Sequence, residues 1–105
     1  MSFRWPNKDP DEVLDYSVDW SRYLGSASIA SITWYVDDED GTKTQIESTD
    51  VVNGIQHVSA TTSGQVATIN LGLGTNNVDY KFYCQMQDST GSTTERVIRL
   101  RVKEQ

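Results

Sequence analysis

His57 and Ser59 stand two residues apart, on the same side of any regular β-strand that carries both. They are the nearest approach in this sequence to a base beside a nucleophile. Hydrolytic chemistry of that kind also needs a third group to orient the base. No nucleophile elbow accompanies the pair, so His57, the single histidine of 105 residues, reads as an edge-strand or surface residue. The run Asp37-Asp38-Glu39-Asp40-Gly41 gathers carboxylates of the kind Ca²⁺ takes as ligands. It lacks the alternate-residue spacing of a calcium loop, and the twelfth position counted from Asp37 is Ser48 where a closing glutamate would stand. A solvated hairpin tip is the simpler reading.

Other candidate chemistry fails on spacing as well. Cys84 is alone, on an apolar face, with no second thiol for zinc, redox work or an intrachain disulfide. Asp9, Asp11 and Glu12, like Asp15 and Asp19, lie close in sequence, but glycoside hydrolysis needs two carboxyls held across a cleft. GLGTNN (72–77) lacks the lysine and following helix of a phosphate loop. No enzyme, no cofactor and no bound metal is expected. The formal charge of −6, from 9 Lys plus Arg against 15 Asp plus Glu, argues against nucleic acid, since phosphate affinity rests on clustered cations. The basic run ERVIRLRVK (95–103) alternates with apolar residues and reads as a strand with one solvated face.

The elements that carry these residues are strands. Period-two alternation recurs and helical periodicity does not. Leu14, Tyr16, Val18 and Trp20 alternate with Asp15, Ser17 and Asp19; Ile32, Trp34 and Val36 alternate with Thr33 and Tyr35. A short polar return strand is expected over 42–49 after the Asp40-Gly41 turn, with further turns at Asn53-Gly54 and Ser63-Gly64. Ala67, Ile69 and Leu71 share one face, as do Tyr80, Phe82, Cys84 and Met86, and a last strand runs from about 95 to 103. About seven short strands at this spacing predict an all-β, immunoglobulin-like antiparallel β-sandwich over 13–105. Trp34 and Cys84 echo the Trp and Cys of immunoglobulin strands, with the partner Cys missing and with Tyr80 and Phe82 out of their usual step. The start MSFRWPNKDPDE has no apolar h-region and no run reaches membrane-spanning length, so no signal peptide, no membrane contact and folding in a cytoplasm are expected.

Residues 1–12 read differently. Pro6 and Pro10 hold the backbone extended and remove two N–H donors, and Phe3 and Trp5 are large apolar groups on an end that would ordinarily fray. This segment is expected to be an extended arm that docks on a neighbouring subunit and can be removed without unfolding the domain; the competing reading is an arm folded back to cap the open end of its own sandwich. Tyr23, Tyr35 and Tyr83 fall out of phase with the inward faces. They complete the expected partner-binding set of Phe3, Trp5, Pro6, Pro10, Tyr23, Tyr35 and Tyr83.

FRWPNKDPDEVLDYSVDWSRYLG (3–25), followed by IASITWYV (29–36), resembles the opening of a family of small tailed-bacteriophage virion proteins. The resemblance extends to the strand reached six residues after Gly74, at Tyr80, and to the terminal Leu-Arg-Val (100–102). It departs at DDEDGTKTQIESTD (37–50), which is more polar than the family pattern. The resemblance implies a fibre–tail adaptor or similar structural protein, present in several symmetric copies in a virion assembled in the host cytoplasm. Its implied partners are portal, head–tail adaptor, tail or fibre subunits. A capsid decoration protein and a carbohydrate-binding module are the alternatives.

Overall fold

The computed structural model describes residues 3–104, with the side chain of Phe3 outside that description. Alternation builds the sheets as the sequence predicts. In β2 (Leu14–Asp19) Tyr16 and Val18 turn inward, opposite Ile69 and Ala67 of β7 (Val66–Leu73). In β8 (Val78–Asp88) Tyr80, Phe82, Cys84 and Met86 turn inward. Ile98, Leu100 and Val102 do so in β9 (Thr93–Val102). Trp34 and Val36 of β3 (Ile29–Asp37) complete the same layer. These side chains form one core between two sheets, so burial of apolar area in the absence of a disulfide supplies the main driving force.

Among the described residues one sheet has the order β1-β9-β8-β3-β4 and the other β2-β7-β6-β5. Here β1 is Phe3–Arg4, β4 Lys43–Gln45, β5 Val51–Val52 and β6 Ile55–Ser63. The chain crosses between sheets in the order of an immunoglobulin-like sandwich. Trp34 and Cys84 are direct cross-strand neighbours, as the sequence comparison suggested. Trp20, directly after β2, brings its indole beside Cys84.

The strand count exceeds the expected seven because two very short strands were not legible. The turn expected at Asn53-Gly54, both at positive φ, separates the two-residue β5 from β6. The expected return strand 42–49 forms only over Lys43–Gln45, since Asp50 Oδ2 accepts the Glu47 N–H at 2.9 Å and turns the chain. A four-residue helix, α1 (Ser21–Leu24), links β2 to the turn before β3.

The larger correction concerns residues 3–12. Expected as part of an extended docking arm, they are tied to the sandwich by backbone pairing along β9. β1 pairs parallel to β9, Phe3 opposite Ile98 and Arg4 opposite Arg99. Beyond it the Trp5 N–H donates to Arg99 O at 2.9 Å and the Lys8 N–H to Arg101 O at 3.0 Å, while Lys103 N–H donates back to Lys8 O at 2.8 Å. The prolines fit because Pro6 lies between the bonded Trp5 and Lys8 and Pro10 lies inside the turn closed by Glu12 N–H on Asp9 O, where no N–H is required of either.

Candidate partner-binding site

Trp5 is 7% exposed. Its ring stacks on Tyr16 at 4.9 Å and lies 5.6 Å from Phe82 and 6.1 Å from Trp34, and its indole N–H donates to Ser17 O at 3.1 Å. A group held on all these sides by its own protomer is not a free docking residue; the hydrophobic reward that suggested a partner is collected internally. It forms the floor of a cleft of about 270 Å³ with Arg4, Ser17, Val18, Asp19 and Ile98. Of the other arm residues, Pro6 is exposed and Pro10 half-buried, and the Phe3 side chain lies outside the described residues.

Lys8 is a residue that sequence reasoning missed. Its side chain is fully buried, and Nζ donates to the carbonyls of Asp9, at 2.8 Å, and Leu73. Burial lowers its pKa, opposed by the carboxylates of Glu12, Asp9 and Asp11. The acidic run 9–12 is therefore the electrostatic collar of a buried ammonium. It is also a hydrogen-bonded turn, in which Glu12 Oε1 accepts from Asp9 N–H at 2.9 Å and Asp9 Oδ1 from Asp11 N–H at 2.8 Å. The signal was a Lys directly before Asp-Pro-Asp-Glu, which reads equally well as a solvated linker.

The tyrosines divide. Tyr23 is 44% exposed, its ring set edge-on to Trp20 at 6.1 Å. Tyr35 and Tyr83 are cross-strand partners on the outer face of the five-stranded sheet. Lys43 Nζ sits 4.5 Å from the Tyr35 ring and 4.9 Å from the Tyr83 ring, and Lys81 Nζ 5.3 Å from Tyr83. Tyr83 is thereby buried rather than presented. Its hydroxyl donates to Asp37 Oδ1 at 2.7 Å, and burial, then Asp37, pushes the phenol up to about 12. The register also aligns Arg4, Arg99 and Lys81 across this face, so an acidic protein presents one sheet surface with several cations.

His57 departs from its reading as an exposed residue. It is 5% exposed on β6, and Nδ1 lies 3.0 Å from Ile46 O. A bulge shifts the register between His57 and Ser59, so His57 pairs with Leu71 while Ser59 pairs with Asn70. The extra residue turns Ser59 to the opposite face, and the two cannot act together. Burial pushes the Cys84 thiol up to about 12, partly opposed by the Trp20 indole, so it is inert as a nucleophile. In the acidic tip, Asp38 Oδ1 accepts from Asp40 and Thr42 N–H, each at 2.9 Å, which makes it a turn-former. Among the described residues no three His, Cys, Asp or Glu side chains converge as metal ligands, and no helix is long and apolar enough to cross a membrane.

The described residues form a disulfide-free immunoglobulin-like sandwich with short edge strands and a cation–aromatic outer face, which places the chain in the class of small all-β structural modules. The chain matches the family described as Podophage GP4 fiber-tail adaptor protein gp77 over residues 8–101, and it belongs to that family. The match begins at Lys8, the buried residue that anchors the acidic turn. It is a structural adaptor and a component of the phage virion. No curated protein gives a significant match.

Proposed function

We propose that this chain joins the fibre to the tail of a podophage by protein–protein contact, without catalysis. The family match over residues 8–101 carries this reading. Support also comes from the outer face of the five-stranded sheet, where Tyr35 lies under Lys43 and Lys81 pairs with Arg99. Charged and aromatic groups set together in this way suit an interface anchor. Tyr23 offers a second exposed ring, and Pro6 and Pro10 edge the same protomer near β9. Tail and fibre subunits are the partners, with portal and head–tail proteins as further neighbours, and the adaptor is used in several symmetric copies assembled in the host cytoplasm.

The test is a fractionation. Virions are disrupted, heads and tails are separated, and the chain is located with an antibody. It is expected in the tail fraction, and particles lacking its gene are expected to have tails without fibres. Recovery in the head fraction, with fibres still attached in the deletion, would overturn the reading in favour of capsid decoration.

A further inference from the structure

The open side of the sandwich lies opposite the Trp5 edge. Among the described residues β4 pairs only with Tyr35–Asp37, and β5 only through Val51 with Gln56 and Val52 with Ile55. The first half of β3 and the second half of β6 are therefore left as uncovered strand edges, one on each sheet. The Trp34 carbonyl faces the β4 side, where it accepts from Ile46 N–H at 3.0 Å. Backbone direction alternates along a strand, so the N–H and C=O of Ile32 face the same side, beyond the end of β4. Between the two edges lies a cleft of about 310 Å³, with Ile32 and Trp34 on one wall, Ala60 and Thr62 on the other, and His57 at its inner end. Ala60 and Thr62 sit opposite Ile69 and Ala67, on the core side of β6, yet are exposed because nothing of the other sheet covers them.

His57 fixes the chemistry. The Ile46 carbonyl is only an acceptor, so in the neutral ring Nδ1 carries the proton and Nε2 presents a lone pair. That Nε2 is buried and, among the described residues, has no hydrogen-bond partner. A buried acceptor left unpaired calls for a donor. We propose that this cleft binds an extended segment of another virion protein by strand addition to β3, with one neutral side-chain donor, a hydroxyl or carboxamide, reaching His57 Nε2. The proposal rests on the adaptor reading. Glu47 at the rim also favours a donor over an acid. Sugar recognition would use an open ring face, and the Trp34 ring in this cleft is buried. A free strand edge, by contrast, offers a donor and an acceptor at the spacing of a β-ladder.

The experiment uses intact virions carrying the full-length chain. A photo-crosslinking residue is placed at Thr62, on the cleft, or at Ser17, on the far sheet face, and Ala60→Phe fills the cleft from an exposed position. A peptide of another virion protein linked at Thr62 and not at Ser17, with Ala60→Phe retained in particles about tenfold less, the worth of one buried hydrogen bond, supports the site. The cross-link decides the question even if Ala60→Phe folds poorly. A chain that sits in tails with no Thr62 cross-link overturns the cleft while leaving the adaptor reading intact. A carbohydrate adduct at Thr62 also overturns it. A wild-type chain found in heads overturns the adaptor reading and the cleft with it.

Discussion

Trp5 and Tyr16 stack with their centroids 4.9 Å apart and their planes 29° from parallel. One ring follows a strand of the five-stranded sheet, and the other belongs to β2 of the four-stranded sheet. Their contact, with the Trp5 N–H bonded to Ser17 O, closes the side of the sandwich where β9 and β2 are not hydrogen-bonded to each other. Trp5→Ala is expected to cost about 3–5 kcal/mol, as buried aromatic truncations do. Removing residues 1–12 takes away Trp5, the Lys8 anchor and β1 together and is expected to leave no cooperative transition. Urea unfolding followed by tryptophan fluorescence measures both. A truncated chain that still melts near the full-length midpoint would restore the detachable arm.

Cys84 gives an alkaline signature. Its thiol has an ordinary value of 9.0 and is pushed up to about 12 in the fold, chiefly by burial. The folded state therefore holds this proton more tightly than the unfolded chain. The stabilisation is complete below pH 9 and lost as pH rises to about 12, at most about 4 kcal/mol in all. Cys84→Ala is expected to cost about 1 kcal/mol at neutral pH for the small cavity and to flatten the loss above pH 9. Denaturant midpoints across that range compare the two. A thiol reagent at pH 8 should label the wild type only after unfolding.

Tyr80 ties two turns together. Its hydroxyl donates to Asn53 O at 2.7 Å and accepts from Thr75 N–H at 2.9 Å. Tyr80→Phe keeps the ring and leaves both backbone groups without this partner, a loss of about 1–3 kcal/mol. Amide exchange at Thr75 should quicken more than at residues in the middle of β8. Equal exchange at both places would show that solvent replaces the hydroxyl without cost.

Asp88 organises the β8–β9 turn. Its Oδ1 accepts from Thr90 N–H at 2.9 Å, Thr90 Oγ1 at 2.7 Å and Ser92 N–H at 3.0 Å. These bonds, the Thr90 hydroxyl foremost, favour the carboxylate and lower its pKa from 3.8. The folded state thus binds this proton less readily than the unfolded chain. The stabilisation is present above about pH 4 and lost as pH falls through the lowered value. Asp88→Asn should lower the midpoint at pH 7 and reduce the acid sensitivity of what remains. Parallel acid limbs for both proteins would count against the assignment.

The inner faces of β2, β7, β8 and β9 were legible because alternation between apolar and polar residues is the direct imprint of a half-buried strand. Trp34 and Cys84 were legible for the same reason, each in phase with its neighbours. β1 was not: a two-residue parallel strand carries no period, and the flanking Pro6 and Pro10 argue for a loop. Trp5 and Lys8 look alike in sequence whether a partner or the chain itself covers them, and only the pairing with β9 decides it. The bulge beside Val58 likewise left no mark, although one inserted residue was enough to reverse Ser59 relative to His57. The cleft depends on where β4 and β5 stop, which is set by loop hydrogen bonds such as Glu47 to Asp50 and not by strand propensity.

The parallel pairing of β1 with β9 has a mechanical side. The two strands run in the same direction, so the leading end of one and the trailing end of the other lie at opposite ends of the pair. Tension pulling those two ends apart slides the strands along each other. The bonds from Trp5, Lys8 and Lys103 are then loaded simultaneously in shear instead of being unzipped one after another. A pull applied between those two ends therefore meets all three bonds at once, and the sandwich resists it most strongly along the strands.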